Sequence, residues 1–209
     1  MWHGTVHTAK EPTIQIAFLG RGPVATNLAK LAEAAGHSVE VSGRTGKPSF
    51  KAAADAADLI VLAIPYRVAH DLLPGLSDAL NGKIFVDATN LLNEDWSPIV
   101  PDDGKSGAET IAALLPETHV VKAFNTVFAD IMSADGLERD GKAATTFIAG
   151  NDEAAVAEVE ALARRLGFDP LVAGPLYLAR YLEGLAHLNI AIAVGQGGGT
   201  QAAILYDRK

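Results

Sequence analysis

Apolar residues along the chain gather into short continuous runs, separated by longer amphipathic stretches. Residues 13–19 (TIQIAFL), 38–42 (SVEVS), 58–64 (DLIVLAI), 83–87 (KIFVD), 119–123 (HVVKA), 144–149 and 168–172 are runs of this kind. Their length and β-branched content predict seven strands. Several are apolar at consecutive positions, as a strand covered on both faces should be. Between the runs the apolar period changes to that of a helix. Val24, Leu28, Leu31 and Ala35 mark one stripe over residues 23–35, with Pro23 suited to a first turn and Gly36 to a stop. Further helices are expected over 49–57, 67–80 with an interruption at Pro74-Gly75, 106–115, near 127–134, 153–166 and 176–194. Residues 88–105 form the longest loop. Regular strand–helix alternation with short connections predicts an α/β fold, a doubly wound and mostly parallel sheet built from βαβ units.

This pattern divides the 209 residues into a tail (1–12), a dinucleotide-binding Rossmann domain (13–174), and a C-terminal helix with a Gly-rich tail (175–209). His3 and His7 in the first tail have a spacing that metal ligands use on a helix, but Gly4 and the lack of a third ligand argue against a metal site. Composition narrows the function classes. Thirty-seven alanines against thirteen aromatics suit closely packed helices and sheet more than a β-sandwich. Zero cysteines exclude disulfides, thiol catalysis and iron–sulfur ligation. The formal charge of −8 speaks against nucleic acid or an anionic membrane as partner. No run reaches the length of a membrane span, and a cytoplasmic location is expected.

Gly20-Arg21-Gly22-Pro23-Val24-Ala25 stands between the first predicted strand and helix. This is a G-x-G-x-x-A dinucleotide loop: Gly20 for the turn, Gly22 for close approach of a pyrophosphate, and Ala25 for helix–strand packing. The helix N-terminus behind it offers free N–H groups to an anion. At the second strand tip an NAD site would carry an acid. Ser42 and Gly43 stand there instead, followed by Arg44 and Lys47, with Glu40 short of the tip. A hydroxyl and a guanidinium fit a 2′-phosphate, to which Arg21 adds a second cation, so NADP is the expected cofactor.

Three more strand tips end in polar or special residues: Ala63-Ile64-Pro65-Tyr66, Asp87-Ala88-Thr89-Asn90 and Lys122-Ala123-Phe124-Asn125-Thr126. Ligands of doubly wound folds bind along this edge. With GRGPVA and SGR, the motifs LAIPY, VDATN and VVKAFNT resemble, in order and spacing, the NADP-binding reductases related to the coenzyme F420-dependent NADP reductases. The cytoplasmic domains of membrane ferric reductases are among the same relatives. The resemblance runs over residues 14–194.

It implies a Rossmann domain with NADP(H) across the strand tips and a C-terminal helix covering the nicotinamide. A deazaflavin (coenzyme F420) or a flavin is the implied flat redox partner, exchanging hydride directly with the nicotinamide without a dedicated acid or base. Carried onto this chain, Gly20, Gly22 and Val24 hold pyrophosphate and Arg44 the 2′-phosphate. Pro65 and Tyr66 flank the adenosine side or ribose, and Thr89 and Asn90 line the cleft. Phe124, Asn125 and Thr126 lie by the nicotinamide and its partner, with Asn125, Thr126 and His187 as substrate contacts. The chain departs from the family at Gly43, where Ser is common, at Arg21, where a small or uncharged residue is common, and at Asn189, where many relatives have an aromatic. Two other readings stand beside this one: a reductase of small carbonyls or imines, and a non-catalytic sensor of NADP(H). Asp87 reads as a turn cap, His70 as a surface or packing histidine, and Trp96 as a loop contact. A homodimer shielding the apolar terminal helix is expected.

Overall fold

The computed structural model describes residues 12–208, so His3, His7 and most of the first tail lie outside it. In chain order the elements are β1 (Gln15–Leu19), α1 (Pro23–Ala34), β2 (Ser38–Ser42), α2 (Phe50–Ala56), β3 (Leu59–Leu62) and α3 (Tyr66–Leu72). After a 3-10 turn follow α4 (Ser77–Leu80), β4 (Ile84–Asp87), α5 (Gly107–Leu114) and β5 (His119–Lys122). The second half holds α6 (Ala134–Leu137), β6 (Glu138–Arg139), β7 (Lys142–Ala143), β8 (Thr145–Gly150), α7 (Glu153–Arg165), β9 (Asp169–Gly174) and α8 (Ala179–Ile190).

Seven strands form one sheet in the order β2-β1-β3-β4-β5-β8-β9. Neighbours are parallel except β5 and β8. The mostly parallel α/β sheet read from the sequence is therefore present, with one reversal. Its cause is the segment after β5. Residues 127–134 do not make the expected helix: a 3-10 turn (Ala129–Ile131), four-residue α6 and the β6–β7 hairpin stand there. That chain path delivers β8 from the opposite end, and an antiparallel neighbour needs no helical crossover. The terminal helix is also segmented, into a 3-10 turn (Leu176–Leu178), α8 and a π-helical turn (Ala191–Gly195).

The period of two splits each apolar strand between two cores. Ile16, Phe18, Leu59 and Val61 face the layer of α1 and α7, meeting Leu28, Ala32, Val159 and Leu162. Ala17, Leu19, Ile60 and Leu62 face the other layer, with Ala54, Leu73 and Ile111. A strand buried on both sides has no polar face to lose, so its run is continuous. Among the described residues no helix is long and apolar enough to cross a membrane.

Candidate functional site

Chain direction reverses its route between β1 and β3: β2 lies on one side of β1 and β3 on the other. Two loops diverge there and leave a crevice at the carboxyl ends of the strands. The tips are tied stepwise across the sheet. Gly20 N–H donates to Ser42 O at 2.9 Å, Ala63 N–H to Leu19 O at 2.9 Å, Ala88 N–H to Leu62 O at 3.1 Å, and Ala123 N–H to Asp87 O at 3.2 Å. The four motifs read from the sequence are thereby set side by side on one edge.

Gly20 and Gly22 differ in what they do. Gly20 has φ +141°, and a Cβ there would stand 2.2 Å from the Ala63 carbonyl oxygen, so this residue must be glycine for the β1 and β3 tips to meet. Nothing lies within 4 Å of a Cβ placed on Gly22. Gly22 caps α1 without any side-chain hydrogen bond, and no acidic residue occupies the first turn. The uncapped amides and the open space have the chemistry and room that an anion requires. Ala25 is fully buried, as close helix–sheet packing requires.

At the β2 tip the structure corrects two expectations. The Ser42 hydroxyl is completely buried and donates to Pro48 O at 2.8 Å, so it is spent inside the loop rather than offered to a phosphate. Arg21 reaches sideways and donates to the carbonyls of Thr45 (3.2 Å) and Lys47 (3.3 Å). Gly43 is buried beneath it, while Arg44 and Lys47 are exposed at the rim.

From Gly22, Pro23 and Val24 a cavity of about 720 Å³ runs past Ala63–Tyr66, Thr89-Asn90 and Phe124–Thr126 to Ala186, Asn189 and Ile190 of α8. Its size is that of a small-ligand site. Trp96 closes one side from the tip of the long loop, with a left-handed φ of +69°. His187 is not among the lining residues; it turns toward the Leu91 backbone, and burial, its largest influence, pushes its pKa down. The tail after α8 does not line the cavity either. Instead Thr200 bonds Asp130, Thr145 N–H donates to Ile204 O, and Lys142 pairs with Asp207.

Phe124 is the bend on which the cavity's inner end turns. Its backbone adopts φ +63°, costly for a non-glycine residue. The turn is held by Thr146, whose buried hydroxyl accepts the Phe124 N–H at 3.0 Å. The ring, expected beside a nicotinamide, is packed in the core with its centroid 5.2 Å from that of Phe168. Asn125 and Thr126 are what the bend presents. Asn125 Nδ2 donates to Asn90 Oδ1 (2.9 Å) and Leu182 O (3.1 Å), and Asn90 Nδ2 donates to Asn125 O (2.8 Å). With Nδ2 committed to two acceptors, the amide orientation is fixed and Oδ1 is left over. Asn125 Oδ1, Thr126 Oγ1 and Thr89 Oγ1 are all buried without a hydrogen-bond partner, and all three residues line the cavity. Buried polar atoms ordinarily find partners, so three orphans among the residues lining one cavity are unusual.

Beneath this floor lies a network that the sequence reading did not find. Lys122 is fully buried and its ammonium donates to Asp87 Oδ2 (2.9 Å), Glu183 Oε1 (2.8 Å) and Thr89 O (2.6 Å). Burial works to lower its pKa, and the charges of Asp87 and Glu183 outweigh it and hold the value above normal. Asp87 Oδ1 also accepts the Thr89 N–H (2.9 Å), the turn cap expected of it. Glu183 Oε2 accepts the Gly107 N–H (3.0 Å) at the start of α5. One lysine thus fastens α8 to the β4 and β5 tips. The available signal was a lysine closing one apolar strand after an aspartate had closed the previous one.

A model of the family described as NADP oxidoreductase, coenzyme F420-dependent, matches residues 15–91, from β1 to just past Asn90. The chain is 29% identical over 150 residues to the F420-dependent NADP reductase of Methanocaldococcus jannaschii, covering 69% of this chain and 66% of that one. It is 31% identical over 193 residues to Metalloreductase STEAP3 of Rattus norvegicus, covering 87% of this chain and 38% of the other. Both curated relatives are thus spanned over less than two thirds of their length. The solved structure of a candidate F420-dependent NADP-reductase from Arthrobacter sp. FB24 superposes with a TM-score of 0.83 at 29% identity, over 93% of this chain and all of that one. These likenesses agree with the resemblance carried by the motifs.

Proposed function

We propose that this chain, whose residues 15–91 match the model of the coenzyme F420-dependent NADP oxidoreductases, binds NADP(H) along its strand tips and passes hydride between the nicotinamide and a flat redox partner of deazaflavin or flavin type. The observation that carries this reading is one cavity running from the uncapped N-terminus of α1 past Thr89, Asn125 and Thr126 to α8.

The residues fit such a cofactor. Gly22 leaves room for a pyrophosphate, and the first-turn amides of α1 face it with the favourable end of the helix dipole. Arg44 offers an exposed guanidinium for a 2′-phosphate. Thr89, Asn125 and Thr126 line the cavity and keep spare hydrogen-bonding groups, and they are the residues that would hold a carboxamide. The bound dinucleotide would supply the hydride. The protein's own part is to orient and to exclude water, with Trp96, Ala186 and Ile190 forming apolar walls. The titratable side chains lining the cavity are Tyr66, Arg67 and Glu94, and the last two are an exposed pair at the rim, 3.8 Å apart. Hydride passing directly between two planar rings needs proximity and alignment more than a proton donor. The exposed apolar residues Tyr181, Leu188 and Ile192 on and just after α8 are, in this reading, a homodimer surface, tested by light scattering.

Calorimetry and an NADPH oxidation screen test the proposal together. NADPH should bind much more tightly than NADH, Arg44→Ala should remove the preference, and coenzyme F420 or a flavin should support turnover. Equal affinity for the two dinucleotides would overturn the cofactor assignment. Turnover with small carbonyls or imines alone would install the carbonyl-reductase reading, and tight binding without any turnover the sensor reading.

A further inference from the structure

Arg21 and Gly43 are both unusual for the family that the motifs resemble, and the structure shows that they are one feature. A Cβ placed on Gly43 would stand 2.8 Å from Arg21 Cδ and 2.9 Å from its Nε. A Cβ on Gly46, where φ is +100°, would stand 3.1 Å from Arg21 Nη1. The Arg21 side chain therefore lies in a slot walled by two glycines of the β2–α2 loop. Its guanidinium spans that loop, donating through Nη1 to Thr45 O and through Nη2 to Lys47 O. Any side chain at position 43 would drive it out.

We infer that Arg21 is a positioning residue for NADP selectivity: it straps the loop of residues 43–47 to the phosphate loop and so fixes the exposed Arg44 within it. The inference rests on the proposed NADP site. Arg44 lies between Gly43 and Thr45, and residues 44–47 are all exposed. An untethered loop with glycines at 43 and 46 would sample many conformations, and binding would pay the entropy of ordering it. The planar fork of arginine spans two carbonyls at once, which the point charge of lysine does not. Because the proposed site assigns the 2′-phosphate to this loop, the strap acts on NADPH and leaves NADH nearly untouched.

The test is calorimetry of NADPH and NADH with the full chain and the variants Arg21→Ala, Arg21→Lys, Gly43→Ser, Arg21→Ala/Gly43→Ser and Arg44→Ala, with melting temperatures measured alongside. Arg21→Ala should weaken NADPH by roughly tenfold, about 1.4 kcal/mol, and NADH by less than about twofold. Arg21→Lys should lose as much as Arg21→Ala, since charge alone is not the agent. Gly43→Ser should mimic Arg21→Ala by expelling the side chain, and the double variant should lose no more than either single one. Full NADPH affinity in Arg21→Lys, or losses at 21 and 43 that multiply, would overturn the inference. A silent Arg44→Ala would overturn the 2′-phosphate site and this inference with it. That result is told apart from failure of the strap alone, in which Arg44→Ala acts while Arg21→Ala and Gly43→Ser do not.

Discussion

Replacing Lys122 by methionine probes how the C-terminal helix is held to the sheet. The lysine is fully buried, its three N–H protons are all used at 2.6–2.9 Å, and two of its three acceptors are buried carboxylates on β4 and α8. Methionine fills much of the same stem volume, so the cavity contribution is small. What remains is electrostatic: Asp87 and Glu183 lose their shared counter-charge and cannot reach water. Breaking a buried ion pair by removing one partner costs about 3–5 kcal/mol. For a chain of this length that corresponds to a fall in melting temperature of roughly 6–20 °C.

Thermal and urea unfolding followed by circular dichroism read this directly. A companion variant, Asp87→Asn/Lys122→Met/Glu183→Gln, removes all three charges while keeping acceptors for the Thr89 and Gly107 amides, and it should recover most of the loss. The two together separate stranded charge from lost packing. A shift below about 1 kcal/mol in Lys122→Met, or a triple variant less stable than the single one, would refute the reasoning. In the wild type, neighbouring carboxylates hold the Lys122 pKa above its ordinary 10.5. Its stabilisation is thus fully present below that value and is lost only as pH rises through the folded one. Acidification in the neutral range should leave this contribution untouched.

The architecture was legible because each strand carries its own evidence. Seven apolar runs and their spacing predicted seven strands of one sheet, and all seven are there. Direction was less legible than existence. Nothing in residues 127–134 distinguishes a helix from a 3-10 turn followed by a hairpin, and β8 reverses as a result. At the site, features set by backbone were legible: Gly20 makes the close approach to Ala63, and Ala25 is buried as close packing of the loop requires. Residues whose role depends on where a side chain turns were not. Ser42 could face a phosphate or its own loop, and only the fold shows its hydroxyl on Pro48. Phe124 was expected by the nicotinamide from the resemblance; it does line the cavity, yet most of its ring packs in the core beside Phe168. Glu183 was invisible because its partner Lys122 is 61 residues away.

Three further outcomes follow from the same geometry. Thr146→Val leaves the Phe124 amide buried without an acceptor and should cost about 1–3 kcal/mol in urea unfolding; an unchanged midpoint would show that the left-handed bend holds without it. The two loop glycines should separate: Gly22→Ala has open space and should keep the wild-type melting temperature while losing at least roughly tenfold in NADPH affinity, whereas Gly20→Ala, facing the Ala63 carbonyl at 2.2 Å, should destabilise the fold itself. Equal melting temperatures for both would contradict the division of roles. His187→Gln should change the acid side of the stability profile. Burial, the largest influence, pushes the His187 pKa below its ordinary 6.5, against the pull of the Leu91 backbone and Glu183, and its Nε2 is buried without a partner. The unfolded chain then takes up this proton before the folded one does, so wild-type stability falls as pH drops below 6.5 toward the folded value. Melting temperatures at successive pH values should show the wild type losing ground to His187→Gln below that point. Parallel curves for the two proteins would mean that the imidazole is as well solvated in the fold as in the open chain.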